Sequence, residues 1–498
     1  FSAIASLDDL GNPEVIPSID DNRKITASAI FVDGDNVIVG DKALNYTKDK
    51  PRQVVTLAKR EMENDVEFDL TEGKWVPKSE DSTNLTPAQA SSLILKKLKD
   101  YTDGVEKAVI TVPAMFAEKA RQATLQAAKL ANIEVIELIN EPTAAVLHYA
   151  SLPGVEVNGR VMIYDLGGGT FDVTIAEVKN KTVNVTTSRG DKYLGGKDFD
   201  QALVKILDKK YFDHFQVNLD LDNAEYLKKA EELKKILTVK ETSSITINGL
   251  KGDLKIEVSR DEFEESIQTF IEKTKMLIEE ALEASNMNPK RINQTLLVGG
   301  STRVPIVTKS LTKLMGKPPV KGVNVDEAVV SGAAVYAGLK SSSENLSEGQ
   351  QEKLNQVELS DVCNFYMGTL ALINTNRGEQ TCNSIIIPRD TKLPASITQT
   401  YFTTRENQTS VECIVTQSEG PEEDREFVNV IHQQDLQLPP NRPKGQKIDI
   451  TYSYDTSGVM HCTFFDVDSG EKHEIELTPA TVQDIDESRK FIEKFNIE

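Results

Sequence analysis

The 498-residue sequence predicts an α/β region followed by an antiparallel β unit. Up to about residue 340, strand patterns alternate with helical ones, as where Lys107–Val112 precedes Glu118–Leu130. This rhythm is typical of largely parallel sheets covered by helices. Beyond Asp361 the helical period disappears, and apolar and polar residues alternate strictly at Lys447–Tyr454. The chain is also too long for one typical domain, which favours several separate cores.

Capping residues mark the helix starts of the α/β region. Thr86, Pro87 and Gln89 supply an N-cap, a first-turn proline and a capping-box glutamine, so a helix is predicted from Pro87. Ser259 and Glu262 predict the start of a long helix that runs to about residue 285. Between these two helices, the strand pattern of residues 134–139 leads into a helical pattern at residues 142–150.

The last third of the chain predicts antiparallel strands. Turn signals at residues 455–458 and 468–470 separate alternating runs at 459–464 and 472–477. The polar segment 341–352 has no apolar periodicity and predicts a linker or an exposed edge, and residues 481–495 predict the start of a helix. The predicted division is therefore an α/β domain, a linker, a β domain and a short helical start: 1–340, 341–360, 361–478 and 479–498.

Composition argues against several classes of partner. The net charge is −21, from 57 basic and 78 acidic residues, which disfavours direct DNA binding because phosphate contacts need basic surfaces. No apolar run reaches the roughly 18 residues of a membrane span, so no membrane association is expected. The four cysteines form no CxxC pair, which favours free thiols and a reducing, cytoplasmic setting over a zinc site.

The most informative stretch is a glycine-rich turn between two apolar strands. Asp165-Leu-Gly-Gly-Gly-Thr-Phe-Asp172 predicts a β-hairpin whose tip is open for a ligand. Three glycines let backbone N–H groups approach phosphate oxygens without clashes from Cβ atoms. Thr170 adds a hydroxyl, and Asp165 is placed to hold a magnesium ion through its waters. Glycines that only make a turn are the alternative, but one turn needs one or two of them.

A second loop supports the same interpretation. Val298-Gly-Gly-Ser-Thr-Arg303 ends a buried strand and precedes a helix, an arrangement that favours an anion or a nucleoside. The Arg303 guanidinium can stack on a base. Alone this element is weakly diagnostic, whereas the pair of loops is strongly so. Neither loop has the GxxxxGKS or the GxGxxG spacing.

Together these motifs resemble the DnaK-type, seventy-kilodalton heat-shock chaperone family. The resemblance rests on the two loops and on three further segments in the family's order and spacing: Ile139-Asn-Glu-Pro-Thr-Ala-Ala145, Leu194-Gly-Gly-Lys-Asp-Phe-Asp200 and Val325-Asp-Glu-Ala328. It covers residue 1 to about residue 477. It implies an actin-like, two-lobed ATPase domain followed by an antiparallel β-sandwich that binds peptides.

The resemblance implies roles residue by residue. Lys59 would lie at the terminal phosphate, Glu141 and Asp165 would hold water-coordinated Mg²⁺, and Thr170 would belong to the catalytic loop. Nucleotide contacts are implied for a larger set: Gly167, Gly168, Gly169, Asp172, Gly195, Gly196, Glu231, Lys234, Lys235, Thr238, Gly299, Gly300, Ser301, Arg303 and Asp326. The four residues from Glu231 to Thr238 share one helix face, for which a solvated charged surface is the alternative. Pro113 and Arg121 match residues that relay nucleotide state, although a proline also commonly ends a strand.

The implied function is a chaperone that couples ATP binding and slow hydrolysis to the binding and release of unfolded polypeptide segments. ATP, ADP and Mg²⁺ would be its ligands, and a J-domain co-chaperone and a nucleotide exchange factor its partners. One alternative is a divergent, lidless relative that acts as a co-chaperone or scaffold, for example at the ribosome. Another is a small-molecule kinase on the same fold, which the C-terminal β unit disfavours.

Several features depart from the family pattern. The family's first strand and first phosphate loop precede the matched region, so we expect that element ahead of Phe1. In the linker, Glu358 and Ser360 stand where the family has leucines, which predicts weaker docking. The β unit keeps Tyr401, Thr404 and Val411 as expected peptide contacts, but its arch over the peptide, residues 374–381, is polar, which disfavours apolar contacts with a substrate. The helical lid is expected to be truncated.

Overall fold

The computed structural model describes most of the chain: residues 1–79, 84–102, 104–152, 158–179, 181–221, 223–320, 324–355, 357–375, 378–454, 460–476 and 482–497. The predicted turn at 455–458 lies outside these residues. In the described part of the chain, no helix combines the length and the apolar composition that a transmembrane span requires.

The first lobe contains nine strands and three helices in the residues described up to 152. They are β1 (Ile4–Leu7), β2 (Pro13–Ile16), β3 (Ala29–Asp33), β4 (Asn36–Val39), β5 (Val54–Thr56), β6 (Val66–Asp69), β7 (Lys74–Pro77), α1 (Pro87–Lys99), β8 (Lys107–Val112), α2 (Glu118–Leu130), β9 (Glu134–Asn140) and α3 (Glu141–Ser151). The predicted capping box is present, since the Gln89 amide donates to Thr86 Oγ1 at 3.3 Å and the Thr86 amide to Gln89 Oε1 at 2.9 Å.

The second lobe and the segment after it are built around a mixed five-stranded sheet. Their elements are β10 (Gly159–Leu166), β11 (Phe171–Lys179), β12 (Thr182–Asp191), α4 (Gly196–Phe215), α5 (Ala224–Leu237), β13 (Thr242–Gly249), β14 (Gly252–Ser259), α6 (Arg260–Ser266), α7 (Gln268–Ala284), β15 (Gln294–Val298), α8 (Pro305–Met315), α9 (Ala328–Lys340), α10 (Glu348–Leu354) and β16 (Glu358–Ser360). The sheet order is β15-β10-β11-β12-β16, with β15 and β16 parallel to their neighbours.

Two predicted elements differ from the observed ones. The long helix expected after Ser259 is two helices, because Ile267 leaves the helical region (φ −102°, ψ 4°) and is fully buried in the core of the lobe. The segment expected to be a linker or exposed edge contains α10, which Ser347 and Gln350 cap and whose Leu354 is buried. A single apolar residue anchors this helix, so the sequence carries no periodicity that reveals it.

The C-terminal β unit is a sandwich of two four-stranded antiparallel sheets, as the alternating pattern predicts. Its strands are β17 (Tyr366–Thr375), β18 (Gly378–Ile387), β19 (Ala395–Phe402), β20 (Ser410–Ser418), β21 (Asn429–Gln437), β22 (Lys447–Tyr454), β23 (Met460–Asp466) and β24 (Lys472–Glu476). One sheet has the order β18-β17-β20-β21 and the other β19-β22-β23-β24. The apolar core between them also includes Met115 of the first lobe, so the sandwich packs directly against the α/β part.

The last described residues return to the first lobe. Helix α11 (Val482–Glu493) is followed by β25 (Asn496–Ile497), which pairs in parallel with β4. Ile492 of α11 is fully buried in the first-lobe core with Val37 and Leu93. The helix predicted to begin at residue 481 is therefore present and lies on the first lobe.

Candidate nucleotide site and module junction

The predicted glycine-rich hairpin is formed by β10 and β11. Residues 167–170 make its turn, closed by a hydrogen bond from the Gly167 amide to the Thr170 carbonyl at 3.0 Å. Asp165 and Asp172 are direct cross-strand partners, so one aspartate lies on each side of the turn. Asp165, Asp172 and Thr170 are all buried. The turn therefore presents glycine backbone flanked by two acids, as the sequence predicts.

The second glycine loop lies beside the first because β15 runs parallel to β10. Val298 pairs with Asp165, so both strands end at the same edge of the sheet. Gly299 has a positive φ of 83°, and a Cβ there would lie 2.4 Å from the Leu166 carbonyl oxygen. The Ser301 hydroxyl donates to the Gly167 carbonyl at 2.8 Å. Only glycine permits this approach of the two loops.

A third glycine segment completes the arrangement at the start of α4. The Gly196 amide donates to the Gly167 carbonyl at 2.9 Å. A Cβ on Gly195 would lie 2.6 Å from the Gly169 nitrogen, and one on Gly196 would lie 2.5 Å from Ser301 Oγ. Lys234 of α5 reaches the same point and donates to the Gly196 carbonyl at 3.0 Å. Three segments separated by many residues thus meet around Gly167.

Two basic residues of the first lobe, Lys59 and Arg60, lie at the glycine segments. Lys59 lies in a short 3-10 helix, Ala58–Glu61, and its Nζ is 2.6 Å from Oε1 of Glu141, the first residue of α3. The next residue, Arg60, crosses to the second lobe and donates to the Gly169 carbonyl at 2.8 Å. The structure therefore joins Lys59, Glu141 and the hairpin turn in one cleft.

The carboxylates of the cleft are electrostatically unfavourable in the absence of a cation. Burial, then the nearby Glu141 carboxylate, raises the pKa of Asp172 to about 7. Burial, then the charges of Glu141 and Asp172, raises the pKa of Asp165 well above its usual range, and Lys59 opposes this shift. The cleft can thus accept a positively charged ligand that neutralises these acids.

The remaining predicted nucleotide contacts lie around α5 and the second loop. Lys234 pairs with Asp200 at 2.8 Å and Lys235 pairs with Glu231 at 2.7 Å. Burial raises the pKa of Asp200 to about 6, against the opposing effect of Lys234.

Thr238 is the C-cap of α5, and its hydroxyl donates to the Lys235 carbonyl at 2.6 Å. Arg303 and Asp326 form an ion pair, and a Cβ on Gly300 would lie 3.0 Å from Asp326 Oδ1. Of this set, the structure ties Lys234, Gly300, Arg303 and Asp326 to the loops. Glu231, Lys235 and Thr238 bond with one another on the adjoining helix face.

Pro113 and Arg121 lie where the first lobe meets the chain that leads into the sandwich. Pro113 is buried directly after β8. Arg121 of α2 donates to Asn140 Oδ1, and Asn140 Nδ2 in turn donates to Asp361 at 3.0 Å. Thr143 also donates to Asp361 at 3.0 Å. Asn140 immediately precedes Glu141, so a chain of hydrogen bonds connects the cleft to the first residue of the β unit.

Strand β16 adds the connecting segment to the edge of the five-stranded sheet. Leu359 and Val357 pack against the core formed by α3, α9 and that sheet. Glu358 is exposed, and it accepts from Thr182 at 3.4 Å. The expectation that Glu358 replaces a buried docking group is therefore wrong. Ser360 is half-buried and its hydroxyl has no partner among the described residues, so this position does carry a docking cost.

The predicted peptide contacts lie in the β19–β20 part of the sandwich. The Tyr401 hydroxyl donates to Ser384 at 2.9 Å, Val411 packs partly against the core, and the Thr404 amide donates to Gln408 at 3.0 Å.

The expected polar arch is the end of a hairpin. Pairing between β17 and β18 continues to Thr375 opposite Gly378, and residues 376 and 377 lie outside the described part. Leu372 and Ile373 of β17, which precede this end of the hairpin, are exposed. The effect of the polar residues 374–381 on peptide binding stays a prediction.

Sequence reasoning missed several polar residues. Arg60 directly follows the predicted Lys59, and its ion-pair partner Asp198 lies 138 residues away. Asp200, Asn140 and Thr143 also enter the network without having been singled out. Their signal was their position beside assigned residues, since each stands within four residues of a predicted site residue.

The fold and the cleft define a class of protein: a two-lobed nucleotide-binding module packed on a β-sandwich. The family model for "Hsp70 protein" matches residues 2–497. The chaperone protein DnaK of Thermotoga petrophila is 33% identical over 508 residues, covering 99% of this chain and 81% of that protein. That of Thermotoga neapolitana is 33% identical over 493 residues, covering 96% and 78%. The chain therefore belongs to the Hsp70 family.

Membership in this family makes the chain an ATP-dependent chaperone with ATPase activity, and the family binds ATP and ADP. The two-lobed ATPase fold followed by a β-sandwich agrees with the expectation from the motifs. Nothing in the comparisons favours the alternative of a scaffold or co-chaperone without turnover.

Proposed function

We propose that the α/β part binds Mg-ATP among residues 165–170, 195–196 and 299–303, and that its nucleotide state controls peptide binding by the sandwich. This proposal rests on the convergence of three glycine-containing segments, which hydrogen bonds join at the Gly167 carbonyl oxygen. The Gly167 carbonyl accepts from both the Gly196 amide and the Ser301 hydroxyl. We assign the phosphates to the hairpin turn, since its glycines leave room for oxygens to reach the backbone.

A magnesium ion fits the chemistry of the cleft. Asp172 Oδ1 is buried and has no hydrogen-bond partner among the described residues, and the acids around it repel one another. We assign Glu141 and Asp165 as the residues that would hold Mg²⁺ through water ligands, with Asp172 beside them. A bound Mg²⁺ would neutralise charge on the phosphates.

Hydrolysis of ATP transfers its terminal phosphoryl group to water. We assign Lys59 to the terminal phosphate and Glu141 to the orientation of the attacking water, since their ion pair stands at the edge of the hairpin turn. The Thr170 hydroxyl is assigned to the same phosphate from the opposite lobe. Because these groups belong to two lobes, the cleft must be closed for the reaction to occur.

The adenosine is assigned to the side of the cleft lined by α5 and the second loop. Lys234 and Asp200 stand next to Gly196, and Arg303 and Asp326 stand next to Gly300. Glu231, Lys235 and Thr238 extend this face along α5 and are assigned to the ribose and base. The Arg303 guanidinium, more than half exposed, is free to stack on the base.

For the sandwich, we propose that extended apolar peptide segments bind near Tyr401, Thr404 and Val411. The exposed side chains of Leu372, Ile373 and Phe402 support an apolar contact surface at the same end. A J-domain co-chaperone that stimulates hydrolysis and a nucleotide exchange factor that releases ADP are proposed as partners. No direct DNA binding is proposed for a chain with a net charge of −21.

Coupling between the two functions is proposed to run through Pro113, Arg121 and Asp361. The bonds from Arg121 to Asn140 and from Asn140 to Asp361 connect a residue beside Glu141 with the start of the sandwich. We propose that the packed arrangement, with β16 on the sheet, is the ATP-bound form and that ADP releases it.

We also propose the domain division 1–340, 341–360, 361–478 and 479–498, with the last segment as the start of a lid. A cytoplasmic location is proposed as well, which the four free cysteines support.

The test is calorimetry of Mg-ATP binding to the full-length protein and to Gly196→Val. A Cβ at residue 196 would lie 2.5 Å from Ser301 Oγ and 3.1 Å from Lys234 Nζ, so the variant should bind ATP far more weakly. The control is Gly34→Asn in the β3–β4 turn, where nothing lies within 4 Å of the added atom and asparagine tolerates the positive φ. Unchanged affinity in Gly196→Val, with its fold intact, would place the nucleotide elsewhere.

A further inference from the structure

Arg60 is the residue that bridges the two lobes at the phosphate loops. It lies in the same 3-10 helix as Lys59 but points to the other side of the cleft. Its Nε donates to the Gly169 carbonyl at 2.8 Å, and its two terminal nitrogens donate to the Asp198 carboxylate at 2.6 and 3.3 Å. One side chain of the first lobe therefore holds both the hairpin turn and the first turn of α4 in the second lobe.

The environment of this contact distinguishes it from a surface ion pair. The Arg60 and Asp198 side chains are only 10% and 16% exposed. Exposed pairs contribute little because solvent screens them, whereas a shielded, two-pronged guanidinium–carboxylate pair is both stronger and more directional. The planar fork of arginine also fixes the angle between its acceptors, which an ammonium group cannot do.

Each acceptor of Arg60 belongs to or holds a segment assigned to the nucleotide. The Gly169 carbonyl is part of the peptide unit that ends in the Thr170 amide, and this unit is planar, so the bond fixes the direction of that amide. The Asp198 carboxylate also accepts from the Gly195 amide at 2.8 Å, which holds the start of α4. Arg60 thereby sets the hairpin turn and the Gly195–Gly196 segment relative to Lys59.

We propose that Arg60 is a positioning residue that keeps the cleft closed around the nucleotide. This inference rests on the nucleotide site proposed above. Lys59 and Glu141 lie on the first lobe and Thr170 on the second, so hydrolysis requires the alignment that Arg60 maintains. Without it, the lobes separate more readily, ADP leaves faster, and bound ATP is hydrolysed more slowly.

The experiment measures two rates on the full-length protein: release of fluorescently labelled ADP by stopped flow, and single-turnover hydrolysis of ATP. For Arg60→Ala we expect ADP release to accelerate and hydrolysis to slow, each by about 10- to 100-fold, the range that one charge-assisted hydrogen bond represents. Arg60→Lys keeps the positive charge but not the planar guanidinium group, so both of its rates should lie between those of the wild-type protein and those of Arg60→Ala. The control is Arg23→Ala, an arginine of the same lobe that pairs with Asp41 at 2.7 Å on the surface.

The double variant Arg60→Ala/Asp198→Asn separates positioning from simple charge compensation. If Arg60 only neutralises Asp198 near the phosphates, removing both charges restores the wild-type rates, and the proposal is wrong. If Arg60 positions the loops, the double variant remains impaired. Wild-type rates in Arg60→Ala itself, with normal thermal unfolding, would also overturn the proposal. Failure of the wild-type protein to bind ADP would instead overturn the nucleotide site on which it rests.

Discussion

Replacing Leu359 with alanine should weaken the packed arrangement of the two modules. Leu359 lies in β16 and packs, with Val357, on the core of α3, α9 and the five-stranded sheet. Full burial of a leucine side chain contributes about 1.5–3 kcal/mol. Because Leu359 is only half-buried, we expect a loss of about 1–2 kcal/mol, which shifts the ratio of docked to undocked molecules by about 5- to 30-fold.

The assay is dissociation of a fluorescent peptide, followed by anisotropy with and without ATP. If docking of β16 transmits the ATP signal, the acceleration of peptide release by ATP should fall in Leu359→Ala by up to the same factor. Glu358→Ala is the matched control. Glu358 is the residue before Leu359, its side chain is exposed, and its contact with Thr182 is also exposed. Equal ATP responses in Leu359→Ala and the wild-type protein would refute the role assigned to β16.

Three further outcomes are expected. Lys59→Ala and Glu141→Ala should each slow single-turnover hydrolysis by at least about 100-fold while calorimetry shows a much smaller loss of ATP affinity, because both are assigned to the transition state; parallel losses would make them binding residues only. Because the pKa of Asp172 is raised to about 7, protons compete with Mg²⁺ below that pH, so calorimetric affinity for Mg-ADP should fall as pH drops from 7 to 6 and this slope should be smaller in Asp172→Asn; a flat wild-type profile contradicts the assignment. In the sandwich, His432 and His473 each bury an Nε2 that has no partner among the described residues, and burial, then His473, lowers the pKa of His432. The stability that depends on neutral His432 is therefore present above the unfolded pKa of about 6.5 and is lost as pH falls from that value toward the lower native pKa, so urea unfolding should show a decline from pH 7.5 to 5.5 that His432→Gln reduces; an unchanged decline in that variant would exclude this cause.

Local signals predicted much of the fold and of the cleft. The Thr86 and Ser259 capping boxes, the bounds of α2 and the β10–β11 hairpin all depend on residues close in sequence. The convergence of the glycine loops was also predictable, because parallel strands end at one edge of a sheet and glycine permits close approach.

Long-range contacts explain what the sequence did not predict. Arg60 meets its acceptors at separations of 109 and 138 residues, and no local pattern encodes such a pairing. The exposure of Glu358 depends on which face of β16 packs against the core. A shift of one residue in the pairing of β16 with β12 would bury the Glu358 side chain and expose that of Leu359. Helix α10 is held by its caps, by a single buried leucine and by hydrogen bonds to the segment between β1 and β2. Ile267 interrupts a helix for reasons of tertiary packing.

The most direct test of the account is hydrogen–deuterium exchange at residues 357–360 in the nucleotide-free, ADP-bound and ATP-bound protein. Strand β16 pairs with β12 in the packed arrangement, so its backbone should be protected when the modules are docked. If ATP bound at the glycine loops drives docking, protection should be strong with ATP and weak with ADP. Equal protection in the two nucleotide states would contradict the proposal that the cleft controls the sandwich through this strand.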